Sequence, residues 1–73
     1  MNSTIATQVQ DKIKELLEEP NLMEFDQNFY EIGGNSLLAM DFLGFIYKQF
    51  NVELNIKDLF TKSINDIAGS ISA

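Results

Sequence analysis

From Leu37 to Phe50 the chain is apolar on more than one side of a helix, and this stretch constrains the fold more than any other. At about 100° per residue, Ala39, Phe42, Leu43, Ile46 and Phe50 share one stripe, flanked by Leu38 and Phe45. Leu37, Met40 and Gly44 fall on the other side or the back. A helix this widely apolar is central to its domain or keeps one face for a partner, and both are expected here. The stripe and its flank are assigned to the core. Leu37, Met40 and Gly44, with Asp41 beside them, are assigned to a partner-docking surface close to the start of the helix.

That helix is introduced by Ile32-Gly33-Gly34-Asn35-Ser36. Two adjacent glycines admit backbone conformations closed to other residues and bring no side chains to shield the helix start beyond them. Asn35 is a favoured N-cap residue. With Asn35 as the cap, the Ser36 hydroxyl can point outward. It then sits at a helix N-terminus, where open N–H groups and the helix dipole favour an anion such as a phosphate. These residues describe an accessible serine at a site prepared for a phosphoester. They equally describe a glycine-containing loop that ends in an ordinary cap.

Composition narrows the choice. The 73 residues make a single domain, 1–73, near the size at which one core is only just sufficient. A net charge of −6 argues against nucleic acid, which needs a basic surface, and favours partners with basic docking surfaces. The absence of Cys and His removes disulfides, thiolate metal sites and the usual nucleophile–base pairs, so neither an enzyme nor a metal site is expected. The acidic residues show no calcium-loop spacing. No apolar run is long enough to span a bilayer, and Met1-Asn2-Ser3-Thr4 lacks the pattern of a signal peptide. Asn2-Ser3-Thr4 matches a glycosylation acceptor only formally. The chain reads as cytoplasmic, without a membrane partner.

Along the chain, Ser3 or Thr4 caps a first helix running to about Glu18, with Ile5, Val9, Ile13, Leu16 and Leu17 on its apolar stripe. Gln8, Asp11, Lys12, Lys14, Glu15 and Glu18 fill its solvated side. Glu19-Pro20-Asn21 ends it. Residues 21–35 form a long connection too apolar to be a linker, with Phe25, Phe29 and Ile32 expected to anchor it onto the helices and Asp26 expected to cap a turn at Gln27-Asn28-Phe29. After the central helix, Asn51-Val52-Glu53-Leu54 is an extended connector without a partner strand. Asn55 caps a short helix from Ile56 to about Phe60, with Asp58 in its first turn. Ser63 opens a last helix to about Ser72 that buries Ile64, Ile67, Ala68 and Ile71. The expected fold is all-α, a small four-helix bundle of three longer helices and one short one, with a long loop between helices 1 and 2.

The stretch Phe29-Tyr30-Glu31-Ile32-Gly33-Gly34-Asn35-Ser36-Leu37-Leu38-Ala39 resembles the signature of the acyl and peptidyl carrier protein family. The likeness extends to Phe25-Asp26-Gln27-Asn28-Phe29 upstream and to Leu59-Phe60 followed by a short helix, and so covers nearly the whole chain. It implies that Ser36 carries a covalent 4′-phosphopantetheine, with Gly34 and Asn35 completing the cofactor-binding set. A phosphopantetheinyl transferase would join the serine oxygen to the arm through a phosphodiester. The terminal thiol would then hold an acyl, aminoacyl or peptidyl group as a thioester. The domain would present the arm at raised effective concentration to successive enzymes and catalyse nothing itself.

Within the family the glycine pair and upstream aromatics look more like the peptidyl carriers of nonribosomal peptide synthesis than the fatty-acid carriers. Fatty-acid carriers typically place Asp before the serine and have an acidic second helix; here Asn35 stands there, and Asp41 is balanced by Lys48. That departure favours apolar docking by Leu37 and Met40. Lys62-Ser63 stands where many peptidyl carriers have Pro-Thr, and either pair can start the last helix. The implied partners are the transferase, an adenylating or other loading enzyme, and condensation, ketosynthase or thioesterase partners acting on a monomer. Met1 and the abrupt ends suggest a free-standing carrier, and an excised domain would look the same. The alternatives are a helical interaction domain without a prosthetic group, or phosphorylation of Ser36 as a regulatory device.

Overall fold

The computed structural model describes residues 4–72. Four helices follow one another: α1 (Ile5–Leu17), α2 (Ser36–Phe50), α3 (Ile56–Thr61) and α4 (Ile64–Ser72). Among the described residues the only extended pairing is an isolated antiparallel bridge between Asn28 and Ser63, so the all-α bundle is as expected.

Each helix begins at a residue able to satisfy its free N–H groups. Thr4 caps α1 by accepting from the Thr7 N–H at 3.0 Å; Ser3, the other candidate, lies outside the described residues. Asn55 and Asp58 form a reciprocal capping box on α3. The start of α4 is satisfied from two sources. Ser63 Oγ accepts from the Asp66 N–H, while the Ile64 and Asn65 N–H groups donate to the carbonyls of Gln27 and Phe25 in the long loop. The loop is therefore stitched to α4 by backbone bonds as well as by its apolar side chains.

α1 stops one residue earlier than the pattern predicts, with its closing turn just ahead of Pro20. Glu18 turns left-handed (φ 55°), and the Glu19 N–H closes back onto the Lys14 carbonyl at 3.0 Å. A non-glycine residue in that conformation leaves no mark in the sequence.

The core is drawn from every segment: Val9 and Ile13 of α1, Phe25 and Phe29 of the loop, Ala39, Phe42 and Ile46 of α2, Leu59 of α3, and Ile64, Ile67 and Ala68 of α4. The Phe29 and Phe42 rings stack with centroids 5.5 Å apart and planes at 11°. α1 packs against α4 and α2, and α2 against α3. The expected stripes narrow at their edges. Ile5, Leu16, Leu17, Leu43, Phe50 and Ile71 are half-buried against the core instead of inside it, as are Ile32, Val52 and Leu54.

Candidate functional site

The site is built where the loop feeds into α2. Its last stretch is a short turn held by Asn28, whose Oδ1 accepts from the N–H groups of Tyr30 and Glu31, each at 2.9 Å. Glu31 returns the bond by accepting the Asn28 N–H at 2.9 Å. The capping role expected of Asp26 thus belongs to Asn28. The turn that Asn28 holds follows the one expected at Gln27-Asn28-Phe29, and its partners, Tyr30, Glu31 and the Phe60 carbonyl, lie within reach of Asn28. The Tyr30 ring stacks on Phe60 of α3 at 4.2 Å, tying this turn to the third helix.

The two glycines then serve different needs. Gly33 has φ of +111°, a conformation that side chains rarely adopt. Gly34 passes so close to Phe29 that a Cβ there would run into the ring and the carbonyl oxygen of Phe29; its own N–H donates to that oxygen at 3.0 Å. The pair therefore lets the chain turn sharply over a buried aromatic and emerge at the surface one residue before α2.

Asn35 is extended (φ −143°) and its Oδ1 accepts from the Leu38 N–H at 3.0 Å, the expected cap. Ser36 is the first helical residue and is exposed, and its hydroxyl makes no hydrogen bond to any described residue. The N–H groups of Ser36 and Leu37 are also without a partner among the described residues. An outward hydroxyl beside two open N–H groups fits a phosphodiester: the serine oxygen supplies the bond, and the amides and helix dipole favour the anionic oxygens. Gly34 and Asn35 shape this cradle through the backbone path and the cap. Replacing Asn35 with Ala is expected to cost about 1 kcal/mol of stability in urea denaturation, with Asn35→Asp restoring most of it.

The surface beyond Ser36 is apolar. Leu37 is 78% exposed and Met40 65% exposed, and Asp41 and Gly44 are exposed as well. Tyr47, 55% exposed, was absent from the expected docking set, although helical projection puts it within about 20° of Ser36 and of Met40. Phe60 and Ile56 are exposed on α3, whose six residues are too few to reveal a face from sequence. Charge lies elsewhere. Between Asp11 and Glu31 stand seven acidic and two basic residues, against four and three in the rest of the chain. Among the described residues, no helix is long and apolar enough to cross a membrane.

A family model described as "Phosphopantetheine attachment site" matches residues 7–71. Tyrocidine synthase 3 of Brevibacillus parabrevis is 48% identical over 46 residues, 62% of this chain. A Salinispora arenicola protein named as a nonribosomal peptide synthetase, CymA, is 43% identical over 49 residues, 67% of the chain. Surfactin synthase subunit 1 of Bacillus subtilis is 36% identical over 52 residues, 71% of the chain. The chain spans about 1% of the length of each of these relatives. No solved structure gives a significant match.

Proposed function

Given that the chain belongs to the phosphopantetheine-attachment family, we propose that Ser36 is the residue that bears the group and that residues 1–73 form one carrier domain. The family's cofactor is covalent 4′-phosphopantetheine. The arm supplies a thiol on which an acyl, aminoacyl or peptidyl group is held as a thioester. The observation that carries the assignment is the exposed Ser36 hydroxyl at the head of a helix already capped by Asn35. Every other contribution of the chain is positioning: Gly33 and Gly34 bring the backbone round, Asn35 holds the helix start, and α2 offers a surface to visiting enzymes.

The relative named as a nonribosomal peptide synthetase favours nonribosomal peptide assembly as the setting. The partners are then a phosphopantetheinyl transferase, an adenylating enzyme that loads the thiol, and condensation or thioesterase partners. They dock over Leu37 and Met40, with Asp41, Gly44 and Tyr47 around them. A nearly charge-balanced surface there makes these contacts depend on apolar burial more than on salt. The domain itself contributes no catalysis.

The chain has no cysteine, so any thiol in the loaded protein belongs to the arm. After treatment with coenzyme A and a phosphopantetheinyl transferase, thiol titration of the purified protein is expected to give one thiol per chain. A folded protein that stays thiol-free would leave the interaction-domain alternative in its place. Met40→Asp is expected to slow transferase turnover by about tenfold or more, as loss of a central apolar contact, while the far-ultraviolet circular dichroism is unchanged. Unfolding of that variant would place Met40 in the core and contradict the docking assignment.

A further inference from the structure

Met40 lies one turn beyond Ser36, about 6 Å along the axis of α2, and its side chain is open to solvent. The fold gives no reason for a sulfur atom there. Leucine forms helix as well as methionine, and the Met40 side chain takes no part in the core. Leu37, on the same face, brings equal apolar character with no oxidisable atom. What methionine adds is a polarisable thioether. It adapts to a surface that several enzymes visit, and it is open to oxidants from solvent.

Sulfur is scarce in this chain. With three methionines and no cysteine, thioethers are the only sulfur groups of the unloaded protein. Met1 lies outside the described residues, and Met23, 83% exposed on the long loop, stands outside the docking surface. Loading changes the order of reactivity. The thiol of an attached arm, once ionised, is a stronger nucleophile than a thioether and takes up an oxidant first. Oxidation of Met40 therefore bears on the protein before the arm is in place.

We infer that Met40 is an oxidation site that controls loading: its sulfoxide hinders the transferase, so the chain is not given a thiol under conditions that would oxidise that thiol. This rests on Ser36 as the attachment residue and on Met40 as part of the docking surface. With hydrogen peroxide as oxidant, a sulfur lone pair forms the S–O bond while the O–O bond breaks. The proton on the transferred oxygen passes to the departing one, which leaves as water. Sulfur is oxidised and the peroxide is reduced. The product carries a strong hydrogen-bond acceptor where the docking face had an apolar atom. Covered by an enzyme that offers no donor, that oxygen loses its water without compensation and weakens the contact. A methionine sulfoxide reductase reverses the change, as two thiols become a disulfide and the oxygen leaves as water.

In the test, unloaded protein is treated with hydrogen peroxide, cleared of it with catalase, and mapped by peptide mass. Coenzyme A and a phosphopantetheinyl transferase are then added, and incorporation is timed by intact mass. The expected result is sulfoxide at Met40 and Met23, unchanged far-ultraviolet circular dichroism, and loading slowed by about fivefold or more, as for a damaged central contact. Sulfoxide reductases of both epimer specificities, supplied with a dithiol, are expected to restore the rate. Each variant is compared with its own untreated sample. Met23→Leu is expected to lose loading after peroxide as the parent does, whereas Met40→Leu is expected to keep its untreated rate. Met40 that stays a thioether while Met23 is oxidised overturns the inference, as does full sulfoxide at Met40 with loading unchanged. An equal loss in Met40→Leu places the sensitive sulfur elsewhere, and a loss of helicity makes the effect damage to the fold; either result overturns it too. Untreated protein that gains no mass removes Ser36 as the attachment point, and the control by Met40 falls with it.

Discussion

Ser36→Ala is expected to abolish phosphopantetheine incorporation completely while leaving the fold intact. The hydroxyl takes no part in holding the structure together. It is exposed, makes no hydrogen bond to any described residue, and heads a helix whose cap is Asn35. Its removal orphans no buried group, so the urea midpoint is expected to correspond to a change within about 0.5 kcal/mol. No described serine elsewhere can substitute for it. Ser63 Oγ is committed to the Asp66 N–H and Ser72 Oγ to the Ala68 carbonyl, and neither Ser70 nor Ser72 stands at a helix start. Intact mass after transferase treatment reads the outcome. Incorporation that persists in the variant would locate the nucleophile elsewhere.

Truncation of the aromatic centre has the opposite signature. Phe29→Ala and Phe42→Ala each remove one ring of the buried stacked pair and are expected to cost about 3–5 kcal/mol. A domain of this length has roughly 4–11 kcal/mol in all at the usual value per residue, so either change brings it close to unfolding. The two variants differ in what remains. Phe42 lies wholly in the core, whereas Phe29 is also the surface over which Gly34 passes, with its carbonyl accepting the Gly34 N–H. The folded fraction of Phe29→Ala is therefore expected to load more slowly than that of Phe42→Ala. Urea denaturation followed by circular dichroism checks the first claim, and a loss under about 1 kcal/mol in both variants would contradict it. Leu43→Ala, at a half-buried position, is expected to cost less than either.

These effects separate what could be read in the residues from what needed the fold. The bounds of α2 were legible because a favoured cap, Asn35, precedes a run whose apolar period is helical. The same holds for α3 and α4, where Asn55 and Ser63 sit one residue ahead of the helix. The anchoring of the long loop by Phe25 and Phe29 was legible from its apolar content alone. Its attachment to α4 was not, because the groups involved are the backbone carbonyls of Phe25 and Gln27, which every residue possesses. Asp26 was the expected cap and Asn28 was missed, since either side chain can cap a turn and the deciding partners are set by the path of the loop. Gly34 announced flexibility, whereas the fold uses it for close approach to a ring five residues upstream. Tyr47 could have been found by projecting α2 around its axis from Ser36. The serine's role as a carrier of phosphopantetheine came from family likeness; physical reasoning reached only an exposed hydroxyl at an anion-favouring helix start.

One measurement bears most directly on the presentation of the Ser36 oxygen. Protein treated with coenzyme A and a phosphopantetheinyl transferase is digested, and the modified fragment is sequenced by tandem mass spectrometry. The expected outcome is a single phosphopantetheine, carried by the fragment containing Ser36. A folded protein that gains no mass, or a group located on any other residue, would contradict the assignment.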